Sequence, residues 1–276
     1  MNDAHAAAQA DPSAPEREAG ERLSRVHGAA ELHAAILALL LPFGSKRAMR
    51  AWRIEASAAP DAEALRRHAS RLSPATRLPW LERLLGRAAR QPLAMRQQLL
   101  QATRRVMGAR GVARPIDRLH WLLMRRALGD SVTIVARAES SVEVAEWLES
   151  DVFAVSTYSA FLSRVMAADG GDEAQARAWY DAAMVAWQPF ADVPTWTPTP
   201  AEAMVEALGR LQTLSWMQRP VVIRNWVVST LKHGGIAFHE GAADALRMTC
   251  ALLDSPEPPE LARHYAALPA EAKAVA

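Results

Sequence analysis

Apolar residues in this 276-residue chain return every third or fourth position, and that regularity limits the folds open to it. Tyr158, Phe161, Leu162, Val165 and Met166 form one such row. Ala176, Trp179, Tyr180, Ala183 and Trp187 form another, and Leu32, Ile36, Leu39 and Leu40 a third. Each row lays an apolar stripe along one face of a 3.6-residue helix. Strand-like alternation is scarce, with "SVTIVAR" from Ser131 to Arg137 a candidate for a short extended piece. The expected fold class is all-α.

Start signals agree with helices. Ser140-x-x-Glu143, Asp172-x-x-Gln175 and Thr199-Pro200-x-Glu202 read as capping boxes, the last with proline at the first helical position, and Ser73-Pro74 is a further start. The stretch "WQPFADVPTWTPTP", Trp187 to Pro200, holds four prolines and cannot be continuous helix. It is expected to join two helices, with Trp196 packed over one of them. Half the residues are hydrophobic, enough for a sizeable core. The single cysteine, Cys250 in "LRMTCALL", excludes an internal disulfide framework and is expected to be buried.

The longest apolar run, Ala34 to Phe43, is about half of what crosses a bilayer. The Ala-, Pro- and Glu-rich start lacks the order of a signal peptide. A cytoplasmic protein with no membrane insertion and a disordered leader over 1–24 is the expectation.

A repeat spans the middle of the chain. Leu99, Ala102, Thr103, Val106 and Met107 form a face that returns 124 positions later as Ile223, Trp226, Val227, Thr230 and Leu231. Glycine turns follow at Gly111 and Gly235, and acids at Asp117 and Glu240. Leu119, Leu122, Leu123 and Ala127 then match Ala242, Ala245, Leu246 and Cys250 at 123. Two copies of a helix, glycine turn, acid and helix account for this. The implied division is 25–138 and 139–268, with a tail over 269–276.

The helix followed by Gly-apolar-x-x-x-acid and a second helix resembles the TerB-like helical domain. "AILALLL" (Ala35 to Leu41), "RLPWLERLLGRAARQPLAMRQQLL" (Arg77 to Leu100) and "LRMTCALLDSPEPPEL" (Leu246 to Leu261) resemble the C-terminal region of HtpX-like membrane zinc metallopeptidases. The likeness covers about residues 30–262, and it implies two tandem TerB-like bundles. It does not imply proteolysis, because the catalytic helix and membrane spans of those enzymes have no counterpart here. Their Asp-Gly turn is Arg110-Gly111 in the first copy and Gly234-Gly235 in the second, which removes the carboxylates a hard cation would use. Asp169-Gly170 does not replace them, since Asp172 serves better as a cap.

Candidate sites are few. His239-Glu240 in "FHEGAADAL" begins a zinc-peptidase signature, but the second histidine would stand at Ala243. His233, His239 and Glu240 remain weak metal candidates without a recognised spacing, and no nucleophile elbow or phosphate-binding glycine loop occurs. No catalytic residue and no cofactor is expected. Between Thr76 and Asp130, twelve arginines face Glu82, Asp117 and Asp130, a local excess of nine positive charges that leaves −7 for the rest of the chain. Arg83, Arg87 and Arg90 share a helix face, and Arg104, Arg105, Arg110, Arg114 and Arg118 crowd the first turn. They are candidates for an acidic partner or nucleic acid, or for pairing with the acidic stretch Glu139 to Asp151. Aromatic stacking platforms among them are not evident. Most of the nine tryptophans should pack the bundle, while Trp196 and Trp216 lie near loops and are candidates for a contact surface.

Three readings follow. The first is a non-catalytic helical interaction module, an adaptor for a protein partner such as a membrane protease or envelope-stress complex. The second is a nucleic-acid-binding protein using the arginine face. The third is a metal-dependent hydrolase around His233, His239 and Glu240.

Overall fold

The structure is a computed structural model and describes residues 13–42, 44–129, 146–167, 173–234 and 238–269. Among these residues there are helices and no strands, so the all-α expectation holds. The chain divides into two compact units: Met1–Val112 with Arg263–Ala276, and Ala113–Ala262.

The first unit is built around α2 (Ala29–Leu39), which buries Leu32 and every residue from Ala34 to Leu39. Around it stand α1 (Ala14–Ser24), α3 (Lys46–Glu55), α4 (Ala62–Ala69), α5 (Pro74–Ala88) and α6 (Leu93–Gly108). Residues 14–24, assigned by composition to a disordered leader, form α1. Ser13 caps the helix, Leu23 is fully buried, and the Glu16 carboxylate accepts from the Ser73 amide (3.0 Å), the Ser73 hydroxyl (2.5 Å) and Thr76 (2.5 Å). Ser73-Pro74 opens α5 as expected, with its hydroxyl turned to Glu16 rather than to the helix amides. Trp52 of α3 donates its indole N–H to the Ala34 carbonyl of α2 (3.1 Å).

In the second unit α8 (Glu149–Met166) is the central helix, and it buries thirteen of its eighteen residues. Around it pack α7 (Pro115–Leu128), α9 (Glu173–Met184), α10 (Ala201–Thr213), α11 (Gln218–Gly234) and α12 (Glu240–Leu252), followed by the short α13 (Pro259–Ala262). A helix buried nearly all round needs internal partners for its polar groups. Ser156, Ser159 and Ser163 supply them. Ser156 bonds Tyr180 (2.7 Å), Ser159 accepts from Trp226 (2.8 Å), and Ser163 accepts from Trp196 (2.8 Å). Thr249 bonds Tyr158 (3.0 Å) and Thr230 accepts from Trp179 (3.1 Å). The apolar rows expected on α8 and α9 are buried, as is Cys250. The proline-rich segment is non-helical and joins α9, through the 3-10 turn Val185–Trp187, to α10.

The division of the chain differs from 25–138 and 139–268. Helix α7 packs against α12 and α8 and groups with the second unit, and residues 263–269 return to the first. The 124-residue repeat therefore does not appear as two like bundles: α6 and α7 fall in different units, whereas α11 and α12 pack together in one. Its turns also close differently. Asp117 caps α7 by accepting from the Arg114 amide (2.9 Å), while α12 is capped by His239 and Glu240 is exposed. Thr199 does not cap α10; its hydroxyl donates to the Thr157 carbonyl (3.1 Å). Residues 131–137, 139–145, Asp169-Gly170, Asp172, Gly235 and the tail from 270 lie outside the described residues.

Candidate interaction face

Helix α11 begins with a capping box that the sequence reading missed. The Gln218 amide donates to the Ser215 hydroxyl (3.2 Å), and the Ser215 amide donates to the Gln218 side-chain oxygen (3.1 Å). Ser-x-x-Gln before the apolar run "VVI" was the available signal. The next anchor is Arg219, whose guanidinium donates to the carbonyls of Leu214 (2.9 Å), Gln212 (2.9 Å) and Leu253 (3.0 Å), near the C-terminal ends of α10 and α12. Carbonyls at helix ends lack intrahelical donors, and the planar, always-charged guanidinium meets several at once.

The first unit uses the same device. Arg77 donates to Leu39 (3.0 Å), Leu41 (3.2 Å), Ala38 (3.4 Å) and Ala69 (3.3 Å), at the ends of α2 and α4. The shared signal is Leu-Ser-x-x-x-Arg, at Leu72 to Arg77 and again 142 positions on at Leu214 to Arg219.

The inner face of α11 buries Val222, Ile223, Trp226, Val227 and Thr230. Asn225 donates to the Ala183 carbonyl of α9 (2.7 Å). Trp226 lies between its Ser159 bond and the Tyr158 ring, centroids 5.4 Å apart. The helix is thus fixed along its length. Its outer face is apolar all the same. Trp216 is 65% exposed, Val221 54% and Met217 49%, and Val228 is exposed as well. Met217, Val221, Arg224 and Val228 follow a four-three-four spacing, which places them in one row. No Asp or Glu occurs between Glu206 and Glu240, and Arg224 and Lys232 are exposed without an ion-pair partner among the described residues.

Of the two tryptophans singled out, Trp216 is therefore at the surface. Trp196 is only 7% exposed, with its N–H on Ser163 and the Arg177 guanidinium 5.7 Å from its ring centroid, so it packs the bundle instead. A second cluster, Trp147, Trp187 and Phe190, stacks edge to face at 4.7 Å for the first pair and leaves Phe190 half exposed.

Four of the eight candidate arginines are engaged within the fold. Arg83 donates to the Pro269 carbonyl (2.6 Å) with its guanidinium 5.0 Å from the Trp80 ring centroid, and Arg87 donates to the Val26 carbonyl. Arg105 forms a two-point pair with Glu55 (2.5 and 2.8 Å), and Arg114 pairs with Asp117 (3.4 Å). Arg90 and Arg104 are exposed, and Arg110 and Arg118 half-buried. Arg114 and Arg118 belong to the second unit and the others to the first. Asp151, in the acidic stretch, pairs with Arg210 (2.7 Å).

His239 has both ring nitrogens engaged. Nε2–H donates to the Met166 carbonyl (2.9 Å), which can only accept, and Nδ1 accepts from the Ala242 amide (3.3 Å). His233 and Glu240 are exposed, and no group of three metal-ligating side chains forms among the described residues. Carboxyl and phenol groups are tuned by structure as well. Burial raises Glu16, but hydrogen bonds from Ser73 and Thr76 outweigh it and hold the carboxyl below its ordinary value. Burial pushes the Tyr158 and Tyr180 phenols up.

No family model, curated protein or solved structure matches the chain.

Proposed function

We propose that this chain is a non-catalytic helical interaction module, an adaptor or regulator that binds a protein partner. The observation that carries the reading is the distribution of exposed apolar side chains. Leu148, Phe153, Val185, Phe190, Trp216, Met217, Val221 and Val228 are all in the second unit, against Ile54, Leu93 and Val112 in the first. Apolar side chains in a row on a rigidly anchored helix are characteristic of recognition surfaces. The likeness to the C-terminal region of HtpX-like peptidases makes a membrane-associated protease or envelope-stress complex the partner to look for, by analogy alone. No helix among the described residues is long and apolar enough to cross a membrane.

The test is co-purification of tagged full-length chain from gently solubilised native cells, read by mass spectrometry. The expected result is one protein recovered in fixed ratio, lost from a Trp216→Ser/Val221→Glu variant that keeps its helical circular dichroism. Turnover of any substrate by purified chain, abolished by a single point substitution, would overturn the module reading. Recovery of nucleic acid alone, released by salt and by Arg104→Glu, would favour the arginine face instead.

A further inference from the structure

We infer that the outer face of α11 docks an acidic amphipathic helix of a protein partner, an inference that rests on the interaction-module reading. Helices α5 and α11 begin alike, with Ser73 and Ser215 followed four residues later by Arg77 and Arg219, each arginine closing the ends of two neighbouring helices. At that 142-residue correspondence, Met217, Val221, Arg224 and Val228 stand where α5 has Ala75, Pro79, Glu82 and Gly86. The α5 face is crossed by the chain itself. The Ala266 amide donates to the Ala75 carbonyl (3.1 Å), and Arg83 donates to the Pro269 carbonyl (2.6 Å). Where the returning segment reaches α5 at Ala75 and Arg83, α11 carries Met, Val, Arg and Val in the open.

The spacing and the charge describe the occupant. A four-three-four row one residue wide is what a partner helix fills by interdigitation, and it is narrower than the broad apolar face of a helix that lies in a membrane interface. Arg224 sits inside the row and Lys232 beyond it, with no carboxylate on the helix, so the complementary helix carries Asp or Glu opposite Arg224. A two-fold pair of α11 rows centred on Arg224 would set Arg224 against Arg224, which disfavours a second copy as the occupant.

The experiment places the photo-crosslinking residue p-benzoylphenylalanine at Val221 or Val228 in the full chain, in native cells, with exposed Phe153 on α8 as the control position. The expected adduct maps to a protein segment with apolar residues at three- and four-residue spacing and Asp or Glu among them. It is lost with Arg224→Glu and restored when the opposing carboxylate is changed to Lys. An adduct to a second copy, an adduct indifferent to Arg224→Glu, or no adduct from either position overturns the inference. So does Arg224-dependent sedimentation of purified chain with phosphatidylglycerol vesicles, which assigns the face to lipid. If tagged wild type and Arg224→Glu chain retain the same partner in the same ratio, the module stands and the α11 assignment falls.

Discussion

The two units bury different kinds of side chain. Among the described residues the first buries two polar side chains, Thr76 and Thr103, around an otherwise apolar core, and keeps its carboxylates at the rim. The second buries ten, from Asp151 and the α8 serines to Thr249, and uses them to hold tryptophan and tyrosine. An indole or phenol brings a large apolar area into a core but must find a partner for one polar atom. In the second unit that partner is mostly a hydroxyl from a neighbouring helix, so helix positions are set by paired chemistry as well as by shape. In the first unit Trp52 satisfies its N–H on a backbone carbonyl, and volume decides more of the packing.

The largest effect is expected at the centre of the hydroxyl-held core. Trp226→Ala removes a fully buried indole and leaves the Ser159 hydroxyl without its donor. A loss of about 3–5 kcal/mol is expected from urea unfolding. If the change costs no more than an exposed substitution, the second core is not organised around this residue.

Next in size is a matched pair of polar deletions. Ser159→Ala orphans the buried Trp226 N–H, with an expected cost of about 1–3 kcal/mol. Thr103→Val in the first unit removes a hydroxyl that only shares the Leu99 carbonyl with the helix, and should cost less than about 1 kcal/mol. Equal costs would remove the distinction between the cores.

The units should also respond to opposite ends of the pH scale. Glu16 is held low by its hydrogen bonds against burial, Glu55 by its hydrogen bond from Arg105, and Glu63 by those from Arg66 and Arg53. Their folded values lie below the ordinary 4.5. The stability they contribute is complete above that value and is lost as pH falls through the lowered ones. Burial likewise lowers His68, so the unfolded chain takes up its proton at a higher pH than the fold does, and stability falls as pH drops below about 6.5, adding to the acid loss. Tyr158 and Tyr180 are raised, so their contribution is complete below pH 10 and lost above it. Hydrogen exchange read by mass spectrometry on the intact chain should show the first unit opening sooner at pH 3.5 and the second sooner at pH 10.5. The same order at both extremes would refute the assignment.

The smallest effect belongs to surface charge. Arg25 and Glu21 form an exposed i,i+4 pair, and Arg25→Ala should cost less than about 0.5 kcal/mol in urea unfolding.

Much of the candidate face is legible in the sequence. Ser215-x-x-Gln218 is a capping box in plain spelling, and Leu-Ser-x-x-x-Arg occurs twice. The 124-residue register is less discriminating, because apolar residues at helical spacing match one another in almost any helix. Arg77 and Arg219 are the more discriminating pair, since four and three carbonyls at helix ends meet a single guanidinium in each case.

By itself the sequence determined the helical class, the buried rows of α8 and α9, the non-helical proline segment and the burial of Cys250, because periodicity, proline and small apolar residues act locally. The tertiary structure alone decided that α7 joins the second unit, that residues 263–269 return to the first, and that Trp216 rather than Trp196 is left at the surface. It also decided that Arg83, Arg87, Arg105 and Arg114 serve the fold. Each of those outcomes depends on what packs opposite a side chain, and residues far apart in the chain supply the opposing surface.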